Sequence, residues 1–203
     1  MYIIAFMKDK GIKRLVAAAV LAIFVQAGAS AQDWAIKTNL LYDATATVNL
    51  GFEAGLAPRW TLDVSGNYNG WTIREHKWKH WLAQPEARYW FCDRFARHFL
   101  GFHVLGGQFN VGHIDTDIKF LGSDFSRLKD HRYQGWGIGA GVAYGYAFLL
   151  GRHWNLELEL GVGYIYSRYD VFECRDCGRK VAGDRDRHYV GPTKAAVNLV
   201  YVF

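Results

Sequence analysis

The sequence predicts an all-β fold: an eight-stranded antiparallel transmembrane up-and-down β-barrel behind an N-terminal signal peptide. Three observations predict it. Eight segments alternate apolar with small or polar residues at period two, the pattern of strands with two unlike faces. The opening residues read as a secretory leader. The composition is 16% aromatic with 22 Gly and only 3 Pro, which suits strands carrying lipid-facing rings over a close-packed interior.

In the leader, Lys8, Lys10, Lys13 and Arg14 precede an apolar run from Leu15 to Val25, and Ala29-Ser30-Ala31 supplies a small-x-small cleavage site. The run falls short of the about 20 apolar residues that a spanning helix needs. The expected organisation is a cleaved signal peptide over 1–31 and one barrel domain over 32–203, with Met7 a candidate initiator in place of Met1. No cysteine follows the cleavage site, so a lipoprotein anchor is not indicated. Cleavage removes four bases and Asp9, and the net charge falls from +5 to +2. The basic balance is thus partly the leader's, and nucleic acid is not implied as a partner. The remaining about 172 residues suit a single domain.

The first strand is expected from Trp34 to Tyr42, with Trp34, Ile36, Leu40 and Tyr42 on one face and Lys37 and Asn39 on the other. The second, Thr47 to Leu56, sets Val48, Leu50, Phe52 and Leu56 against Asn49, Gly51 and Glu53. After Pro58-Arg59 the third, Trp60 to Trp71, opposes Trp60, Leu62, Val64 and Tyr68 to Thr61, Asp63, Ser65, Asn67 and Asn69. The fourth, Trp81 to Phe91, opposes Ala87, Tyr89 and Phe91 to Gln84, Glu86 and Arg88. The fifth, Phe99 to His113, changes phase near Gly106-Gly107, which predicts a bulge. In the sixth, Tyr133 to Leu149, rings and aliphatics at even positions face glycine and alanine at odd ones. The seventh, Trp154 to Tyr169, opposes Leu156, Leu158 and Leu160 to Glu157, Glu159 and Gly161.

The eighth, Tyr189 to Phe203, places Val197, Leu199, Tyr201 and Phe203 on one face. A last strand closed by a terminal Phe resembles the signal that bacterial outer-membrane barrels present to their assembly machinery. Connections after strands two, four and six are short, and those after three, five and seven are long (Thr72 to His80, Ile114 to Arg132, Asp170 to His188), as such barrels require. A soluble β-sandwich or lipocalin-like barrel also alternates. Against it, the non-apolar faces are too small and too uncharged for a solvated surface.

With the apolar faces turned to lipid, Lys37, Glu53, Asp63, Glu86, Arg88, Glu157 and Glu159 point into the lumen. Eight strands leave an interior that side chains fill. Buried charges pair or neutralise, so a structural ion-pair network is expected, with a gated proton or ion path as the sharper alternative. Five acids against two bases leave an acid surplus that loop arginines such as Arg74 are available to offset. Catalysis, cofactors and metal ions are not expected. The nominees for a lipid-modifying enzyme are His103 with Ser65, and a Glu157–Glu159 hydrolytic pair is weaker still.

Cys174 and Cys177 form a CxxC in the last long loop, readable as a local disulfide, a redox pair or half a zinc site without its second half. Cys92 stands alone in a short turn, either free or buried. The basic-aromatic stretch from His76 to Trp81 suits anionic lipopolysaccharide headgroups. Trp34, Trp60, Trp71, Trp81 and Trp154 lie near strand ends, as interfacial girdles do.

Four stretches carry a family likeness: Trp34-Ala35-Ile36-Lys37-Thr38-Asn39-Leu40-Leu41-Tyr42-Asp43-Ala44, Asn49-Leu50-Gly51-Phe52-Glu53, the Trp60 strand, and Pro85-Glu86-Ala87-Arg88-Tyr89-Trp90. They are similar to the uncharacterised DUF3575 proteins of Bacteroidetes over essentially the whole mature chain. The resemblance implies a small outer-membrane barrel of the OmpA/OmpX-like kind with no established activity, and a link to fimbrial or surface-assembly systems in some members. The expected function is structural, adhesive or accessory to surface assembly, with the loops as interaction face; the alternatives are a lipid-modifying enzyme and a narrow gated channel. Expected partners are outer-membrane lipid and lipopolysaccharide, the barrel assembly machinery, and surface or fimbrial proteins.

Overall fold

Alternation along eight segments closes into a ring. A computed structural model describes residues 34–73, 76–112, 119–120, 123–124, 132–173 and 179–203. The expected leader over 1–31 lies outside the described residues, as do Arg74, Cys174 and Cys177. The strands are β1 (Trp34–Asn39), β2 (Val48–Ala57), β3 (Trp60–Asn69), β4 (His76–Trp90), β5 (Arg97–Gly112), β6 (Arg132–Leu149), β7 (Trp154–Phe172) and β8 (Lys180–Val202). Each pairs antiparallel with its neighbour in sequence. β8 pairs back onto β1, from Val202 opposite Ala35 to Asn198 opposite Asn39. Closure satisfies both edges of the ring. Both ends of the ladder meet where the Phe203 N–H donates to the Trp34 carbonyl at 2.9 Å.

The two faces of every strand part as their residue types dictate. Ile36, Leu50, Val64, Val104, Ile138, Val142, Leu158, Leu160 and Val162 form an exposed aliphatic band outside, joined by Phe102. Val197, Leu199 and Tyr201 continue that outer face on β8, and Phe203 is exposed at its end. Aromatic pairs bound the band at both ends. At the short-turn end Trp60 meets Tyr89 (5.2 Å between ring centroids), Trp154 meets Tyr201 (5.0 Å), and Tyr201 meets Phe203 (5.0 Å). At the long-loop end Tyr68 meets Trp71 (6.5 Å), Trp136 meets Tyr166 (5.9 Å), and Tyr133 meets Tyr169 (5.7 Å).

Inside, the short-turn end is stopped by an apolar cluster of Ala35, Trp90, Phe95, Phe99, Ala147, Val200 and Val202. Phe95 lies in the β4–β5 turn at φ 60, a left-handed conformation that folds its ring under the barrel, 6.0 Å from Trp90. The Asn155 amide donates to the Phe95 carbonyl at 2.7 Å and holds the turn there. Cys92, in the same turn, is a free, exposed thiol.

Several sequence expectations need correction. β1 stops at Asn39, because the Asn39 side chain accepts from the Leu41 N–H and caps a helical turn, α1 (Leu40–Ala44). Leu40 and Tyr42 therefore leave the strand. No bulge marks Gly106-Gly107: β5 keeps one register against β4 and β6 through that point. Register shifts lie elsewhere, at Gly55–Ala57 of β2, at Tyr169–Phe172 of β7, and between Gly161 and Val162 of β7, opposite Lys194 and Pro192, where Thr193 is the extra residue. β4 begins at His76 and β8 at Lys180, so the expected connections Thr72 to His80 and Asp170 to His188 are largely paired strand. Asp184 to Arg187 sit in that extension, where Arg168 meets Asp184 at 2.8 Å on an exposed surface. Of the connection Ile114 to Arg132, the described part is a two-residue ladder, Lys119–Phe120 with Ser123–Asp124.

Candidate functional site

The lumen holds the charged residues that an eight-stranded ring has no space to hydrate. Register places Glu53 opposite Asp63, and Asp63 opposite Glu86, so three acids stand side by side on β2, β3 and β4. Directly opposed like charges repel, and the arrangement holds only because three cations enter it. Arg88, fully buried, donates through Nε to Glu86 (2.6 Å), through Nη1 to Glu53 (2.8 Å) and Glu157 (3.1 Å), and through Nη2 to Glu159 (2.8 Å). Its Nη2 is also 3.3 Å from Asp63. Lys37 pairs with Glu53, and with Glu157 at 3.3 Å. Lys194 meets Glu86 at 2.8 Å and Glu159 at 3.0 Å. The guanidinium lies 4.5 Å over the Phe99 ring, so the network rests on the apolar stop.

Small residues make the room. On β6 the inward Gly141, Ala143 and Gly145 face the side chains that fill the lumen, and a Cβ on Gly145 would lie 2.2 Å from the Phe99 ring. The Trp90 indole donates to Thr61 at 2.9 Å, and the Thr61 hydroxyl donates on to Glu53. A cavity of about 30 Å³ remains above the network, bordered by Lys37, Asn39, Tyr42, Asp63, Lys194 and Asn198. That is room for about one water. Tyr42 reaches over it from α1; burial pushes its hydroxyl above the usual tyrosine range, with nearby Lys194 pulling the other way.

All seven residues expected in the lumen are buried there and brought together: Lys37, Glu53, Asp63, Glu86, Arg88, Glu157 and Glu159. Lys194 is the residue that sequence reasoning missed, and it supplies a third base among the described residues. The nominees His103 and Ser65 do not pair. His103 Nε2 lies 2.9 Å from the Thr193 hydroxyl, aimed inward by the bulge, whereas Ser65 donates to the Gln84 carbonyl at 3.2 Å. Glu157 and Glu159 are each held by cations. Among the described residues no group of three or more His, Cys, Asp or Glu is arranged to hold a metal ion.

One family model, described as a protein of unknown function (DUF3575), matches residues 15–203. No curated protein matches the chain.

Proposed function

The chain belongs to the DUF3575 family, and from that premise and the barrel's geometry we propose a non-catalytic outer-membrane anchor whose long-loop end is an interaction face. The observation that carries the proposal is an exposed aliphatic band between two aromatic belts. In water such a band costs about 25 cal/mol for each Å² of apolar surface, and patches this continuous mark membrane or partner contact. From Trp154 to Tyr164 along β7 the rise is about 33 Å at about 3.3 Å per residue. Tilted by about 40°, that gives a band about 25 Å tall, the height of an outer-membrane barrel's apolar zone.

The leader supports export, and the outward apolar face of β8 (Val197, Leu199 and Tyr201) supports handling by the barrel assembly machinery. The filled lumen, stopped by Trp90, Phe95 and Phe99, favours an anchor over a conduit. β7 with 19 residues and β8 with 23 rise well past β1 with 6, so one side of the wall stands above the rest. That raised wall, rich in exposed ion pairs, is the face offered to lipopolysaccharide and to surface or fimbrial proteins.

The test is fractionation of cells carrying a tagged copy, followed by cross-linking from cysteines placed at the long-loop end. Recovery in the outer-membrane fraction with a surface or fimbrial subunit attached is the expected result. A soluble periplasmic chain removes the anchor. A changed lipid A or phospholipid profile on deletion replaces it with an enzyme, and discrete conductance in planar bilayers replaces it with a channel.

A further inference from the structure

The phase change at Gly106-Gly107 is real in hydrophobicity although the backbone does not slip. From Leu100 to Val104 the apolar residues of β5 point outward, with Phe102 and Val104 more than half exposed. Beyond it Leu105, Phe109 and Val111 take inward positions, joined by Leu82 of β4. A lumen that is polar around Lys37 and Asp63 therefore turns apolar near its long-loop mouth, on the wall facing α1. Leu41 of α1 closes the other side, and Gly137 of β6 lies between. The open apolar groove between them has a volume of about 420 Å³.

Apolar cavities reject water and take apolar guests; about 150 Å³ holds a six-carbon ring. On that scale about 420 Å³ takes on the order of fifteen carbons. From Leu105 to Val111 the floor runs about 20 Å along one strand, a shape for a linear chain. Thr45 and His80 add polar groups to the lining, where an amphiphile's head would sit. We infer that this mouth pocket binds one linear hydrocarbon tail, headgroup outward, supplied by a free fatty acid or by a membrane lipid. The inference goes beyond anchoring and needs no protein partner.

Gly137 provides the decisive variant. A Cβ there meets neighbours only at 3.5 to 3.6 Å, ordinary contact, so Gly137→Leu adds a side chain to the pocket without backbone collision. Leu41→Asp perturbs the same pocket from α1, outside the strand ladder. The probes are saturated fatty acids of eight to eighteen carbons and dipalmitoyl phosphatidylglycerol, mixed with the full chain in detergent and resolved by native mass spectrometry. One bound molecule is expected, with affinity rising about fourfold per added methylene, the equivalent of about 0.8 kcal/mol, until the pocket is full. Gly137→Leu moves that plateau about four carbons shorter, since it fills the space of one side chain of that size. Leu41→Asp weakens binding of every length at least tenfold, and Val142→Leu on the outer band changes nothing. Tighter binding of the free acid names the soluble amphiphile as source, and tighter binding of the phospholipid names the membrane. A plateau that Gly137→Leu leaves in place, or affinity that rises without a plateau, overturns the pocket. Because the assay is done in micelles, its failure leaves the anchor proposal standing, and a soluble chain that binds leaves the pocket standing.

Discussion

Arg88→Met tests whether one guanidinium holds the lumen together. Arg88 is fully buried and lies within 3.3 Å of carboxylates from all five lumenal acids. Removing one partner of a buried pair typically costs about 3–5 kcal/mol, because the other charge is left without compensation. The loss is not five times that. Glu53 and Glu157 keep Lys37, and Glu86 and Glu159 keep Lys194. The upper end of the single-pair range, about 5 kcal/mol, therefore applies, with the lost contact to Phe99 adding about 0.5–1 kcal/mol. Arg88→Lys retains the charge but not the three-sided fork that reaches β2, β4 and β7 at once, and its expected loss is about half as large. The assay is urea unfolding of the refolded barrel in lipid vesicles, followed by tryptophan fluorescence and by the heat-dependent gel migration of folded barrels. A loss below about 1 kcal/mol for Arg88→Met, or a lysine variant as stable as the parent, refutes the reasoning that the network is held from this centre.

Lys194→Met, tested the same way, leaves Glu86 and Glu159 with Arg88 as their nearest cation and lowers stability by about 3 kcal/mol; an unchanged midpoint would make Lys194 a bystander. Trp90→Ala opens the apolar stop beneath Phe95 and Phe99 and removes the indole donor to Thr61, for a loss of about 3–5 kcal/mol, read in equilibrium unfolding. Gly145→Ala forces the Phe99 ring aside and costs about 1–3 kcal/mol, whereas Gly151→Ala, with nothing within 4 Å of its Cβ, changes stability by less than about 0.5 kcal/mol. Equal midpoints for the two alanine variants would remove the packing argument. The Asp170 carboxyl is held below its usual range by the hydrogen bond from Lys180, with the Asp184 N–H adding to it. A depressed folded value means stability that is present above the unfolded carboxyl's range and lost as pH falls. Asp170→Asn should therefore flatten the acid limb of hydrogen exchange in the β7–β8 extension, and an unaltered limb would sink it.

The strands were legible wherever one face is apolar and turned outward and the other meets a crowded interior. Val64 beside Asp63, and Leu158 beside Glu157, leave no doubt about which way each residue points. Legibility failed where that contrast disappears. Beyond Tyr169 and before Tyr189 both faces of the hairpin carry polar residues, so no period-two signal survives although the backbone pairing continues. In α1 the order Leu40, Leu41, Tyr42 continues an apolar alternation by accident, and the capping geometry of Asn39 decides for helix. Asn49 adds to that decision by accepting from the Asn39 N–H at 2.6 Å and donating to Asp43 at 2.7 Å. Lys194 was readable by parity, since it falls on the same side as Ala196 and Asn198 and opposite Val197 and Leu199. The sequence reading of that strand rests on its apolar face, Val197 to Phe203, and Lys194 lies on the other. The glycine pair at Gly106-Gly107 gave a true signal with the wrong cause: the change lies in which face is apolar, not in the register.

A lumen built on charge makes sense for a wall with so little else to fix its register. β6 offers only glycine and alanine inward from Gly135 to Ala147, and such faces fit several offsets almost equally well. The charged strands do not. Slipping β3 by one residue turns Asp63 out into the aliphatic band and brings Leu62 or Val64 against Arg88, an unpaired charge on each side of the wall. Slipping β8 does the same to Lys194. Replacing the whole network with hydrocarbon could leave the barrel equally stable, because buried ion pairs add little net stability over packed apolar groups. It would also remove the penalty that separates the correct register from its neighbours. The network therefore fixes the register of the wall, and on the proposed reading the face offered to other molecules is the long-loop end, where the wall rises past β1 and the interior turns apolar.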